Sequence, residues 1–172
     1  MEAAELEFDI VIADVDETNP PGMSGYLVPE HLARKKAAAI RKAQADVIIV
    51  AADTVVLLDD EILGKPKDDI HAKEMLGKLS GRKHEVVTGV CIQQGERQVN
   101  FSVTTEVYFR SLSVAQIEHY VTNYKPFDKA GGYAIQEWIG MIGIEKIVGD
   151  YYNVMGLPIG EVVKKLSIFL PI

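Results

Sequence analysis

Residues 46–52 read Asp-Val-Ile-Ile-Val-Ala-Ala, an apolar β-branched run that leads straight into Asp53-Thr54. Such a run does not alternate. It belongs to a strand covered on both faces, which requires other structure above and below it. The rest of the chain offers helices for that role. Residues 29–43 are strong helix formers, with Leu32, Ala33, Lys36, Ala37 and Ile40 along one face. Asp68 or Asp69 can cap a helix running to about Leu79, whose inner stripe is Ala72, Met75, Leu76 and Leu79. Ser113 and Gln116 form a capping box for a helix ending near Tyr124, with Ile117, Tyr120, Val121 and Tyr124 inward. Pro158 can start a last helix carrying Val162, Leu166 and Phe169 inside.

Further strands are expected between these helices. Residues 8–15 alternate apolar with polar or small residues, and the acidic turn Asp14-Val15-Asp16-Glu17 follows, then a loop at Pro20-Pro21-Gly22. Residues 55–58 and 61–63 read as a hairpin turning at Asp59-Asp60. Two long strands, 84–93 and 98–109, meet near Gly95; in the second, Val99, Phe101, Val103, Thr105, Val107 and Phe109 keep a period of two, so one face is buried. A final strand is expected over residues 142–148, after a loop at 125–133 that contains Gly131-Gly132. The expected fold is α/β, a single domain over residues 1–172 with a mixed central sheet flanked by helices, because hairpins coexist with strand-helix-strand crossovers.

Composition narrows the function classes. With 172 residues, 48% of them hydrophobic, the chain has enough apolar material for one core without disulfides or a structural metal. A net charge of −7 argues against general nucleic-acid or anionic-membrane binding, so a phosphate-bearing ligand must meet a local cluster of lysine or arginine. The single cysteine, Cys91, reads as a small core residue, and no disulfide can form within the chain. No apolar run approaches the roughly 20 residues of a membrane span, and Met-Glu-Ala-Ala-Glu does not resemble a signal peptide, so a cytoplasmic protein is expected. His31, His71, His84 and His119 lack metal-ligand spacing, which leaves a hard cation on carboxylates as the metal to expect. The phosphate-loop, GxGxxG and GxSxG patterns are absent.

A few residues stand out on position alone. Lys36 lies within roughly 40° of Leu32 and Ile40 at about 100° per residue, in the middle of an apolar face. It either snorkels outward, holds an anion or pairs with a carboxylate. Asp53 is expected at the carboxyl end of a buried strand, where open α/β sheets place ligands and where turn or capping aspartates are also common. In Gly64-Lys65-Pro66 a flexible and a rigid residue bracket a lysine and set where its side chain leaves the backbone. Asp59 and Asp60 are ordinary hairpin-turn residues. Gly131-Gly132 is either a tight turn or a close approach of backbone to ligand.

In order and spacing, several segments resemble the Maf family of nucleoside triphosphate pyrophosphatases. They are Asp14-Val-Asp-Glu17, Leu32-Ala-Arg-Lys-Lys36-Ala37, Ala52-Asp53-Thr54-Val55, Leu63-Gly-Lys65-Pro66, Met75-Leu-Gly-Lys-Leu-Ser-Gly81, His84-Glu-Val-Val-Thr-Gly89, Asp128-Lys-Ala-Gly-Gly-Tyr-Ala-Ile-Gln136 and Tyr151-Tyr-Asn-Val-Met-Gly-Leu-Pro158. The resemblance implies an elongated α/β domain related in architecture to inosine triphosphatases, with a nucleotide cleft. It implies Asp53 as proton acceptor in metal-assisted attack of water at the α-phosphorus, Glu17 and Asp53 as ligands of Mg²⁺ or Mn²⁺, and Lys36 and Lys65 as partners of the triphosphate. Thr54 after the aspartate and the Gly-Tyr-x-Ile-Gln segment ending at Gln136 resemble the subgroup acting on dTTP and UTP, with Thr54 and Gln136 binding substrate. A glutamine amide offers donor and acceptor to a pyrimidine edge. The family also implies a homodimer.

The family pattern begins with a strand and a Ser-Pro-Arg-Arg loop that this chain does not carry. That strand would pair beside residues 46–52, so an exposed apolar edge is expected there. Two other functions fit the same resemblance: a catalytically impaired nucleotide-binding regulator linked to septum formation, and a house-cleaning hydrolase of modified triphosphates.

Overall fold

The computed structural model describes residues 5–41 and 47–170. At its centre β1 (Ile49–Leu58), β2 (Glu61–Leu63), β3 (Lys83–Gln94), β4 (Arg97–Phe109) and β5 (Ile144–Val148) form a five-stranded sheet in the order β2-β1-β3-β4-β5. Every pairing among the described residues is antiparallel, which corrects the expected mixed sheet. The crossovers exist, yet none sets two parallel strands side by side. Helix α2 (Asp69–Leu79) carries the chain from β2 to β3, and these flank β1 instead of meeting. Helices α3 (Val114–Tyr124) and α4 (Trp138–Gly143) separate β4 from β5, which returns antiparallel beside it.

The local signals explain most elements. Leu58 pairs with Glu61 across Asp59-Asp60, and Asp59 takes the positive φ of 54° that aspartate tolerates in a turn. Asp68 caps α2 by accepting from the His71 amide at 2.8 Å. In the capping box of α3, Ser113 accepts from the Gln116 amide and the Gln116 side chain accepts from the Ser113 amide. Residues 138–143, expected to be partly strand, form α4, and a single turn α5 (Tyr151–Val154) is capped by Asp150. Helices of this length lack the repeated periodicity that identifies longer ones. Tyr124, expected inward, is exposed and stacks on Tyr120 with centroids 5.0 Å apart.

Helices cover both faces of the sheet. On one, α1 (Val28–Arg41) packs Val28 and Leu32 against Val55, Leu57 and Val87, and Ala33 and Ala37 against Ile49 and Cys91. Its N-terminus comes so close to β3 that a Cβ on Gly89 would lie 2.0 Å from the Glu30 nitrogen, so only glycine fits. On the other, Leu76, Leu79, Val86, Val107, Tyr120 and Ile139 form the largest core, each fully buried aliphatic side chain contributing about 1.5–3 kcal/mol. Helix α6 (Ile159–Leu166) adds Val162 and Leu166 against Val90 and Ile92.

Two expectations at the sheet edge need correction. β1 does not stop before Asp53; it runs on to Leu58, and Ile49 and Val55–Leu58 are buried while residues 50–54 are half-buried. Asp46 and the end of the first helix beyond Arg41 lie outside the described residues. β2 pairs only with Val56–Leu58, so the outer side of residues 49–55 faces no strand among the described residues. Residues 8–15 are irregular, with Ile10 and Ile12 exposed, because alternation alone makes no strand without a ladder to join.

Candidate active site

Asp53 lies opposite Gly89 in the β1–β3 ladder. Cross-strand partners share a face, so the bare glycine admits α1 at the level where the Asp53 carboxylate projects. There the Lys36 ammonium donates to Asp53 Oδ1 at 2.5 Å and lies 3.0 Å from Glu17 Oε1. The apolar position of Lys36 is thus resolved as a lysine shared by two carboxylates. Glu17 is presented by an acidic turn folded onto α1. Asp16 accepts from the Thr18 amide at 2.9 Å and from its hydroxyl at 2.5 Å, and Lys35 donates to the Asp16 carbonyl.

Asp53 is mid-strand, not at a strand end as expected. It stays accessible because β2 has not yet begun to pair at this level, and its side chain is 15% exposed against 52% for Glu17. The two carboxyls are driven apart. Burial pushes Asp53 above the ordinary aspartate value, against the pull of the hydrogen bond and charge of Lys36. Glu17, accepting from the same ammonium, is held below the ordinary glutamate value. For Lys36, burial works against the charge, but the hydrogen bonds to both carboxylates outweigh it and raise its pKa. A carboxylate tuned upward beside one held ionised is a pairing that separates a proton acceptor from a fixed negative charge.

A cavity of about 340 Å³ is lined by Asp53, Thr54, Lys65, Lys129 and Gln136 with Met155 and Gly156. Gly64-Lys65-Pro66 forms one wall. The Gly131 amide donates to the Gly64 carbonyl at 2.9 Å and ties this wall to the turn carrying Lys129. Gly131 has φ of 70°, and a Cβ there would lie 2.9 Å from Val56 Cγ2, so position 131 demands glycine twice over. The Thr54 hydroxyl is 2.9 Å from that of Thr88, which donates to the Asn153 carbonyl. The Thr54 hydroxyl is also 3.4 Å from the Gly156 carbonyl, so its proton can go to Thr88 or to Gly156 while its oxygen keeps acceptor capacity. Gln136 is exposed at the rim.

A second opening of about 910 Å³, mostly apolar, lies along the outer edge of β1 and includes Glu17 and Lys36 in its lining. The Lys36–Asp53 pair joins the two openings, since one partner lines each. All the expected site residues are therefore gathered here: Glu17, Lys36 and Asp53 in direct contact, and Asp53, Thr54, Lys65 and Gln136 around one cavity. Lys129 had no expected role, although it stands in the same run as Gly131-Gly132.

No group of three or more His, Cys, Asp or Glu forms a ready metal cage among the described residues. Glu17 and Asp53 nevertheless supply hard oxygen donors on either side of one cationic position. That set suits Mg²⁺ or Mn²⁺, which bind through one or two carboxylates and complete their shell with water and phosphate oxygens. Two carboxylates that share one lysine, beside a cavity lined by two further lysines, are groups able to meet phosphate oxygens and to accept a proton from water.

A family model described as Maf-like protein matches residues 1–169. The chain is 45% identical over 167 residues to a dTTP/UTP pyrophosphatase of Cytophaga hutchinsonii, covering 97% of this chain and 77% of that protein. It is 44% identical over 167 residues to a protein of the same name from Parabacteroides distasonis, covering 96% and 86%. A third protein of that name, from Bacteroides thetaiotaomicron, is 46% identical over 157 residues, covering 91% and 81%.

Proposed function

The chain belongs to the Maf-like family, and from that membership and the geometry of the site we propose that it hydrolyses dTTP and UTP to the nucleoside monophosphate and pyrophosphate. The observation that carries this reading is Asp53, whose carboxylate contacts the Lys36 ammonium while the residue also lines the cavity that includes Lys65. A proton acceptor thus stands between the Lys36 ammonium and a cavity lined by Lys65.

In the proposed reaction Asp53 orients a water molecule and takes its proton as the oxygen attacks the α-phosphorus. The bond from that phosphorus to the bridging oxygen breaks, and pyrophosphate leaves with the electron pair. Burial suits Asp53 to this task, because a carboxyl raised above its usual value accepts a proton more readily. Lys36 and Lys65 neutralise charge as it moves onto the leaving group, each unit pair at 4 Å interacting by about 4 kcal/mol at an effective dielectric near 20. Glu17 and Asp53 would hold a Mg²⁺ or Mn²⁺ ion together with the phosphates. Such an ion supplies polarisation of phosphate oxygens and a more acidic water. Thr54, as an acceptor, and Gln136, as donor and acceptor, are placed in this reading against the pyrimidine edge, whose N3–H needs an acceptor.

Pyrophosphate release from dTTP, UTP and 7-methyl-GTP in Mg²⁺ or Mn²⁺, comparing wild type with Asp53→Asn, tests the reading. Release from the pyrimidine nucleotides, falling by about 10² to 10⁴ in the variant, is expected for loss of a general base. Equal rates for the two proteins would remove Asp53 from the chemistry. Nucleotide binding without any release would favour a regulator over an enzyme.

A further inference from the structure

Lys129 enters the same cavity as Lys65 from the opposite loop, and the interior is organised to put it there. Its ammonium is 3.0 and 3.1 Å from the two Asp128 oxygens and 3.8 Å from Glu137 Oε1. Glu137 is fixed in turn. Tyr120, wholly buried, donates its hydroxyl proton to Glu137 and accepts the Ala134 amide at 3.2 Å. Burial and the neighbouring Glu137 carboxylate keep that phenol protonated and a donor.

Asp128 is the looser partner. Its side chain is 76% exposed, and pairs so exposed to water contribute little. The hydrogen bond from Lys129, with the charges of Lys129 and Lys65, holds the Asp128 carboxyl below the ordinary aspartate value. An incoming phosphate offers more oxygens and more charge in the same position.

We propose that Lys129 is a further polyphosphate-binding residue, held by Asp128 in the free protein and handed to the nucleotide's phosphates on binding, with Glu137 and Tyr120 as its positioning residues. This rests on the nucleotide-hydrolase reading, and it assigns Lys129 to the phosphates instead of the base because a neutral pyrimidine offers no charge to an ammonium. Asp128 then competes with substrate, so Lys129 and Asp128 have opposite effects on affinity.

The test is calorimetric titration of inorganic tripolyphosphate in Mg²⁺ into wild type, Lys129→Met, Lys129→Arg and Asp128→Asn, with thermal unfolding of each. Lys129→Met is expected to weaken binding by about tenfold or more, the effect of one charged hydrogen bond. Lys129→Arg should recover most of it, and Asp128→Asn should tighten it. Unchanged tripolyphosphate affinity in Lys129→Met overturns the proposal, as does weaker binding in Asp128→Asn or a wild type that takes up no tripolyphosphate. Should Lys129→Met not fold, the sign of the Asp128→Asn effect decides. Pyrophosphate release from dTTP separates the two claims. If wild type releases none while the expected affinities hold, the hydrolase reading fails and the anion site stands; if it releases pyrophosphate and Lys129→Met has the same kcat/KM, only Lys129 is displaced.

Discussion

Lys36 is tolerated on a face otherwise made of leucine, alanine and isoleucine because two carboxylates accept from its ammonium. Removing it leaves Asp53 buried without the interaction that lowers its pKa, so the carboxyl should titrate at still higher pH. The acid limb of kcat/KM for Lys36→Met is therefore expected to move upward in pH, alongside a fall in kcat; a limb that stays in place would show that another group limits the rate. His84 sets a different pH response, through stability. It is buried, bonded through Nε2 to the Tyr133 hydroxyl at 2.7 Å, and burial pulls its pKa from 6.5 to about 3. The unfolded chain takes up the proton first. The contribution of His84 is thus complete above pH 6.5 and is lost as pH falls toward 3. Urea unfolding from pH 7 to 4 should show stability falling by up to about 1.4 kcal/mol per pH unit from this group, and His84→Phe should flatten that slope. At this scale the grouping of Lys36 with Asp53 was legible, because both sit in positions that bland roles explain poorly once the motifs are read together. The role of His84 was not, since no spacing rule reports that a lone histidine will meet a tyrosine from a distant loop. Lys129 escaped for a related reason: its neighbours Glu137 and Tyr120 lie on other elements.

Among the elements, the contact of α1 with β3 matters most to the site. Gly89→Ala would put a methyl carbon 2.0 Å from the backbone of Glu30 and force the helix outward. A loss of about 1–3 kcal/mol is expected from such overpacking, together with a large loss of turnover, because α1 carries Lys36. Ser113→Ala offers the contrast. It removes the cap of α3 and should cost about 1 kcal/mol while leaving kcat/KM within twofold of wild type, roughly the effect of a distant change. Denaturant unfolding and steady-state rates on both variants check the pair; equal activity losses would show that stability, not the position of α1, governs turnover. Elements with strong local signals, such as the capped α2 and α3 and the paired β3 and β4, were readable in advance. The short α4 and α5 were not, because a turn or two of helix contains too few residues to display a period. The end of β1 was misplaced because polar Asp53 and Thr54 look like a boundary, whereas cross-strand pairing with Gly89 and Thr88 keeps them in the ladder.

For the molecule as a whole, the antiparallel sheet could not be read from the alternation of strands and helices, since strand order is a tertiary fact and a crossover that skips a neighbour leaves no mark in the sequence. The expected edge is met only in part: residues 49–55 have no strand on their outer side among the described residues, yet Ile49 is buried and residues 50–54 are half-buried, while exposed Ile10 lines the groove beside them and Ile12 is exposed nearby in sequence. Open strand edges next to apolar side chains invite other chains to pair there. Light scattering of the purified protein is expected to rise with concentration, and Ile10→Lys with Ile12→Lys should suppress that rise without lowering turnover per molecule. The bare flank of β1 thereby links bench behaviour to chemistry, because Asp53 belongs to the same open stretch. Clumping that seals the ribbon end to end would also stopper the mouth of the proposed site, and specific activity should decline in stocks kept too strong and recover on dilution.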